Sequence, residues 1–214
     1  MRKHALHVLT TGRQELAEVS AILSGIDTSL IDAFHVREKQ RGARELLHWH
    51  ARLKPLLPHT AVVLNDRVDA ALAAPADGVQ LGYSSLPAAA VRQLVPRGMR
   101  VGCSVHEAED AAEAARQGAD YVIFGHVYAT GSKPGLAPRG IGALAEVVAA
   151  SPVPVIAIGG IGLAEVDEVL STGCAGIAVL SSVLLHSEPA DQVAAYRERL
   201  DSSSHKPKKG WFSS

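Results

Sequence analysis

Short apolar runs alternate with longer amphipathic segments along almost the whole chain. The short runs are rich in Val, Ile and Leu, and stretches such as VPVIAIGG and AGIAVLSS are apolar at consecutive positions. Consecutive apolar positions are typical of strands that are buried on both faces of a parallel sheet. The longer, Ala- and Leu-rich segments are typical of helices that pack one face onto such a sheet. The pattern therefore predicts repeated βα units.

About eight such units are predicted, which is enough to close a barrel. The predicted strands cover residues 5–9, 31–36, 61–64, 77–81, 100–104, 120–124, 154–158 and 176–179. The predicted helices cover residues 13–24, 41–56, 67–73, 87–95, 107–117, 140–150, 162–171 and 190–200. An open doubly wound sheet is the alternative, but no GxGxxG motif opens the first helix. We therefore predict an α/β protein with a single (β/α)8 TIM barrel.

The length of the chain limits the number of domains. The 214 residues, 47% of them hydrophobic, suffice for one well-filled core near the lower end of barrel size. We assign residues 1–200 to the TIM-barrel domain. Residues 201–214, DSSSHKPKKGWFSS, mix Ser, Lys, Pro and Gly without apolar periodicity, which predicts a disordered C-terminal tail.

Charge and cysteine content narrow the class of function. The formal net charge is −1, from 21 basic and 22 acidic side chains, so no overall field favours nucleic acid or an acidic membrane. An anion must then be held by a local site. The two cysteines, Cys103 and Cys174, have no metal-ligand spacing and are expected to be reduced. With no signal peptide recognisable at the amino terminus, we expect a cytoplasmic enzyme.

Polar side chains follow most of the predicted strands, at the rim where barrel enzymes place their chemistry. They are His35, Arg37, Lys39, Asn65, Asp66, Gln80, Tyr83, Ser104, His106 and His126. A Gly- and Pro-rich loop, residues 128–140, extends this rim beyond strand six. The rim is therefore where we expect the functional site.

A phosphate site is predicted after the last two strands. Gly159 and Gly160 follow strand seven, and Leu180 and Ser181 follow strand eight, each pair just before a helix. Glycines allow an anion to approach the backbone, and helix amino termini present free N–H groups. These loops are also the usual phosphate location in such barrels. The alternative is that the glycines only permit tight turns.

Cations and hydroxyls offer further contacts for an anion. Thr130, Ser132 and Lys133 lie on the loop after strand six, which could fold over the same ligand. Arg37 and Lys39 lie on the same side of a strand end, and two inward cations need an anionic partner. That partner is either a ligand carboxylate or phosphate, or a structural salt bridge.

His126 is the candidate for proton transfer, because histidine titrates near neutral pH and this one follows a nearly continuous apolar strand. A lone histidine at a strand end is more often structural than catalytic. The residues alone leave both interpretations open.

Taken in order, the motifs FHVREK, LNDRVD, DGVQLGY, GCSVH, GADYVIFGHVYATGSKPG and AIGGI resemble those of the thiamin phosphate synthase superfamily. The resemblance covers nearly all of residues 5–185, and it looks closest to the thiazole tautomerase (TenI) branch. In the synthase, which joins a pyrimidine diphosphate to a thiazole phosphate, the resemblance implies a magnesium site of two aspartates. Asp66 matches the first, but the second falls at Ser85, and the synthase has glutamine where His35 stands. We take these departures to disfavour the synthase reaction.

The resemblance to the tautomerase branch implies an isomerase that aromatises a carboxythiazole phosphate tautomer. His126 would be its acid–base residue, and Arg37 or Lys39 would hold the substrate carboxylate. Asn65 and Ser104 would join the substrate-binding set. Such a proton shift needs neither a metal nor another cofactor. The implied partner is a small phosphorylated thiazole, with no nucleic acid or membrane, and the family favours a homodimer.

Three alternatives remain open from the sequence. The first is a working thiamin phosphate synthase, a magnesium-dependent transferase. The second is a non-catalytic protein that binds a thiazole phosphate and serves in regulation. The third is an isomerase or aldolase acting on another phosphorylated small molecule, because a barrel does not by itself define a reaction.

Overall fold

Eight parallel strands form a closed barrel in the computed structural model, which describes residues 2–133 and 135–212. Each strand pairs with its neighbours in chain order, and the last pairs with the first. The strands are β1 (Ala5–Leu9), β2 (Ala33–Val36), β3 (Ala61–Asn65), β4 (Gly78–Leu81), β5 (Arg100–Val105), β6 (Tyr121–Gly125), β7 (Val155–Ile158) and β8 (Gly176–Val179). This confirms the predicted (β/α)8 TIM barrel, and each predicted strand overlaps an observed one.

Helices follow the strands and cover the outside of the barrel. They are α1 (Leu16–Ser24), α2 (Ala43–Leu53), α3 (Val68–Ala73), α4 (Ala88–Leu94), α5 (Ala108–Arg116), α6 (Gly140–Ala150), α7 (Val166–Ser171), α8 (Ser181–Leu184) and α9 (Pro189–Ser202). Short 3-10 turns lie at Thr28–Leu30 and Lys54–Leu56. The sequence does not predict α8, because four residues are too few to show a helical period. Among the residues that the structure describes, no helix is both long and apolar enough to span a bilayer.

Alternation along each strand divides the buried residues into two layers. In β6, Val122 and Phe124 belong to the large core between strands and helices, whereas Tyr121 and Ile123 belong to the smaller cluster inside the barrel. Successive strand residues point to opposite faces, so one strand supplies both layers. The consecutive apolar positions in the sequence have this origin.

Aspartates join neighbouring strands at the amino-terminal end of the barrel. Asp32, Asp77 and Asp120 each stand just before an even-numbered strand. Their carboxylates accept hydrogen bonds from the amides of Leu6, Val62 and Val101 on the preceding odd-numbered strands, at 2.8, 2.7 and 2.7 Å. Each carboxylate also pairs with a basic side chain, from Arg197, Lys54 and Arg92 respectively. This end is therefore built for stability, which leaves the opposite end for chemistry.

The segment after α9 crosses the amino-terminal end of the barrel. The indole of Trp211 is buried, 4.4 Å from the ring of His7 between centroids, and the Arg100 guanidinium lies 4.2 Å over it. The Lys208 amide donates a hydrogen bond to the Gly173 carbonyl. Residues 203–212 thus have a packed course, whereas the sequence predicts disorder over 201–214, of which residues 213 and 214 lie outside the described part of the chain. The physical reason is the indole, whose burial offsets the cost of ordering a polar segment.

Candidate functional site

A cavity of about 870 Å³ opens at the carboxyl-terminal ends of the strands. This volume lies within the range of about 300–1,000 Å³ that is typical of small-molecule sites. The residues predicted for the site all line it: Arg37, Lys39, Asn65, Ser104, His126, Thr130, Ser132, Lys133, Gly159, Gly160, Leu180 and Ser181. The structure therefore brings the predicted residues together, while the role of each stays a prediction. We call this cavity the mouth.

His126 lies in the wall of the mouth, just after β6. Its side chain is largely buried, and its Nε2 atom lies 3.3 Å from the Leu136 carbonyl oxygen on the loop that follows. Its Nδ1 atom is buried without a hydrogen-bond partner in the described part of the chain. One ring nitrogen thus contacts the loop, and the other is enclosed in the wall of the mouth.

The glycine turn after β7 has two consequences for the mouth. Gly159 and Gly160 have φ angles of +104° and +67°. A Cβ atom on Gly159 would clash with the Cβ of His126, and one on Gly160 would clash with the Ala129 carbonyl oxygen. The glycines therefore permit close packing against the β6 loop, as the tight-turn alternative requires. Their amides also donate no hydrogen bond to any described residue, which keeps them available to an anion.

Three cations line the mouth without an ion-pair partner among the residues described. They are Arg37, Lys39 and Lys133, and the salt-bridge alternative for Arg37 and Lys39 is not what the structure shows. Burial lowers the pKa of Lys133, and the like charges of Arg139, Arg37 and Lys39 lower it further. Like charges held together in a concave site favour an anionic ligand.

Asp66 and Ser85 form a contact that the sequence prediction did not include among the site residues. The Ser85 hydroxyl donates a hydrogen bond of 2.8 Å to the Asp66 carboxylate and accepts one of 2.9 Å from the Gly82 amide. Asp66 has a φ angle of +65°, a left-handed conformation that residues other than glycine seldom adopt. Strained backbone of this kind concentrates at functional sites. The sequence signal for the pair was the NDR and GYSS motifs at the ends of β3 and β4.

Tyr83 and His106 form an aromatic pair at the same edge of the mouth. Their rings stack with centroids 5.5 Å apart and planes 14° from parallel, and Tyr83 is largely exposed. The His106 Nδ1 atom lies 2.9 Å from the Gly125 carbonyl oxygen, which fixes the imidazole. The sequence placed both residues on the rim but assigned them no role.

The residues at the mouth do not fit the two-aspartate magnesium site that the synthase resemblance implies. Asp66 contributes a carboxylate, but a hydroxyl occupies the second position and is hydrogen-bonded to it. Glu38 also lines the mouth, where the Arg41 guanidinium lies 3.5 Å from its carboxylate. Within the described ranges, no group of three or more His, Cys, Asp or Glu side chains could hold a metal ion.

The fold and the mouth together define a TIM-barrel protein that is equipped to bind anions at the carboxyl-terminal ends of its strands. Residues 6–183 match the family model described as thiamine monophosphate synthase. A putative thiamine-phosphate synthase of Geobacter sulfurreducens is 40% identical over 187 residues, covering 86% of each chain. The chain belongs to the thiamine monophosphate synthase family.

Further relatives carry the same name. A thiamine-phosphate synthase of Pyrococcus horikoshii is 39% identical and covers 85% of this chain and 87% of its own. The solved structure of thiamine phosphate pyrophosphorylase from Pyrococcus furiosus superposes with a TM-score of 0.80 at 33% identity, covering 93% of this chain and 96% of that one. A 3-hexulose-6-phosphate synthase superposes at 0.69 with 20% identity, a likeness that extends to the fold alone.

These comparisons contradict the predicted reaction. The tautomerase prediction, an isomerase, depended on GHVYATGSKPG and on the departures at Ser85 and His35, whereas the curated relatives at about 40% identity are named as synthases, which are transferases. The departures at these two positions are local, whereas the likeness to the synthases extends over most of the chain. The thiazole tautomerase assignment is therefore wrong, and the synthase alternative is the better supported.

Proposed function

We propose that the protein is a transferase of the thiamine-phosphate synthase type, which joins a pyrimidine carried on a diphosphate to a thiazole phosphate. One observation carries the proposal. The mouth offers two kinds of anion-binding group: the amides of Gly159 and Gly160, which donate no hydrogen bond to a described residue, and the cations Arg37, Lys39 and Lys133, which have no ion pair among those residues. Two substrates with separate phosphorylated groups need two such regions within one cavity.

In this assignment the thiazole phosphate binds at the β7 and β8 ends. The Gly159, Gly160 and Leu180 amides donate no hydrogen bond to any described residue, and the Ser181 hydroxyl adds a further donor. Binding at these groups would orient the thiazole ring toward His126, on the neighbouring strand end. Because His126 lines the mouth beside these amides, we assign it a contact with a substrate ring.

The diphosphate binds at the cations. During the reaction, the bond between the pyrimidine-bearing carbon and the diphosphate oxygen breaks, and a new bond forms between that carbon and the thiazole ring. The leaving diphosphate keeps the electron pair of the broken bond, so negative charge develops on it. Arg37, Lys39 and Lys133 would stabilise that charge without reorganising. Asn65, Ser104, Thr130 and Ser132 supply hydrogen-bonding groups around the two rings.

The test is an assay with both substrates and magnesium, followed by mass spectrometry of the coupled product. We expect one diphosphate to be released for each product molecule, and none when either substrate is omitted. Two variants locate the phosphate region. Gly160→Ala and Gly160→Asp both add a Cβ atom against the Ala129 carbonyl, but only the second places a carboxylate beside the phosphate.

Gly160→Asp should therefore raise the KM for the thiazole phosphate at least about tenfold more than Gly160→Ala does. An equal effect of both variants would show that the phosphate does not bind at this turn. If the protein binds both substrates but forms no product above the rate without protein, the transferase proposal fails and a binding role takes its place.

A further inference from the structure

Five basic side chains line the mouth, and they differ in whether a carboxylate of the fold already pairs with them. Two of the basic side chains that line it are already neutralised, Arg41 by Glu15, Glu38 and Glu45, and Arg67 by Asp69. The remaining three, Arg37, Lys39 and Lys133, have no such partner in the described chain. Their mutual repulsion is relieved only when an anion binds.

Negative charge at the mouth is correspondingly scarce and constrained. Glu38 is buried beside Arg41, so its charge is opposed within the fold. Asp66 has no ion pair among the residues that the structure describes, and its carboxylate accepts a hydrogen bond from the Ser85 hydroxyl. A Cβ atom on Gly82 would lie 2.8 Å from the accepting oxygen, so the carboxylate is also closely packed. One carboxylate among cations is a poor site for a free divalent cation.

We propose that the mouth binds its diphosphate directly through Arg37, Lys39 and Lys133, without requiring a divalent cation, and that Ser85 maintains this by keeping a second carboxylate out of the site. The inference rests on the proposed function, because it concerns the diphosphate of the proposed substrate. A diphosphate ester carries roughly three negative charges near neutral pH, which three unpaired cations balance. Arg37 can bind two phosphate oxygens at once, and the two lysines act as point charges.

The first test is a calorimetric titration of the full chain with inorganic pyrophosphate, once with excess EDTA and once with millimolar magnesium. We expect saturable binding in EDTA, tightened less than about fivefold by magnesium. A larger gain, or no binding in EDTA, overturns the proposal.

Charge-removing variants show where the anion binds. Lys39→Gln and Lys133→Gln should each weaken pyrophosphate binding about tenfold in EDTA, because each removes a charge-assisted hydrogen bond. Lys209→Gln is the matched control, since Lys209 is an exposed lysine on the segment at the opposite end of the barrel. If the control weakens binding as much as the mouth variants do, the anion is attracted by overall charge and the proposed site is wrong.

Ser85→Asp tests the role assigned to Ser85, and Ser204→Asp is the control, because Ser204 is exposed on the segment at the opposite end of the barrel. Electron paramagnetic resonance of Mn²⁺, without any substrate, should show bound metal for Ser85→Asp and none for the wild type or Ser204→Asp. Wild-type binding as tight as that of Ser85→Asp overturns the proposal. If Ser85→Asp does not fold, the wild-type Mn²⁺ measurement and the EDTA titration decide.

These readouts are independent of turnover. Coupling activity together with magnesium-dependent pyrophosphate binding would contradict this inference and leave the transferase intact. Pyrophosphate binding in EDTA without coupling activity would support this inference and contradict the transferase proposal.

Discussion

Two histidines buried inside the barrel have pKa values that are lowered by their surroundings. The Nδ1 atom of His7 lies 3.0 Å from the Nε2 atom of His35, and neither side chain is exposed. Burial lowers the pKa of His35 to about 4, and burial, then the neighbouring His35 and Arg100, lowers the pKa of His7 well below its usual value. Both rings are therefore neutral in the folded protein at neutral pH.

This predicts that the protein loses stability in mild acid. In the unfolded chain both histidines take up protons near pH 6.5, but in the folded protein His35 does so only near pH 4. The unfolded state binds more protons in this window, so the free energy of unfolding falls as pH drops through it. The contribution of His35 is about 3 kcal/mol. Urea unfolding between about pH 7 and pH 4 measures it.

His35→Gln should reduce that pH dependence, because it removes one titrating group and leaves His7 in place. His59→Gln, at an exposed surface position, should leave the slope unchanged. An unchanged slope in His35→Gln would mean that the buried pair does not cause the acid sensitivity.

At the scale of elements, the strand pairs at the amino-terminal end are joined by carboxylates of unequal burial. Asp32 and Arg197 are almost fully buried, with side-chain exposures of 5% and 4%, whereas Asp120 and Arg92 are exposed by 45% and 27%. The two pairs link β1 to β2 and β5 to β6 in the same way. They differ in burial, and the buried pair has further charged partners in Arg2 and Asp201.

Asp32→Ala should lower the free energy of unfolding by about 3 kcal/mol, because it leaves the buried Arg197 guanidinium with only the half-exposed Asp201 as an ion-pair partner. Asp120→Ala should cost less than half as much, since water replaces the lost partner of a half-exposed arginine. Chemical denaturation of both variants measures the difference. Equal losses would show that the amide hydrogen bonds, and not the buried charge, determine the stability of this end.

The elements were predictable to the degree that their sequence is periodic. Each strand is an apolar run between turn residues, and α6 buries Leu144, Val147 and Val148 at helical spacing. α8 escaped prediction because SSVL spans little more than one helical turn, which is too short to show a repeat. The packing of Trp211 was not predictable from the sequence either, because a single indole in a polar segment gives no periodic pattern. Its partners, His7 and Arg100, lie far away in sequence.

At the scale of the whole molecule, the site was easier to locate than to interpret. TIM barrels place their chemistry at the carboxyl-terminal rim, and the residues predicted from this rule all line one cavity in the structure. The reaction was mistaken because Ser85 and His126 are local features, whereas likeness to synthases extends over most of the chain. The Asp66–Ser85 contact required coordinates, since its geometry depends on a left-handed residue at the end of β3. The homodimer stays a prediction.

The most direct test of the account is a crystal structure with thiamine phosphate and inorganic pyrophosphate bound together. We predict electron density for the organic phosphate at the Gly159, Gly160 and Leu180 amides. Density for pyrophosphate should lie at Arg37, Lys39 and Lys133. The carbon that joins the pyrimidine to the thiazole ring should lie between these two regions. Density that places both anions at one of these regions, or either anion outside the mouth, would contradict the claim that this cavity unites two phosphorylated substrates.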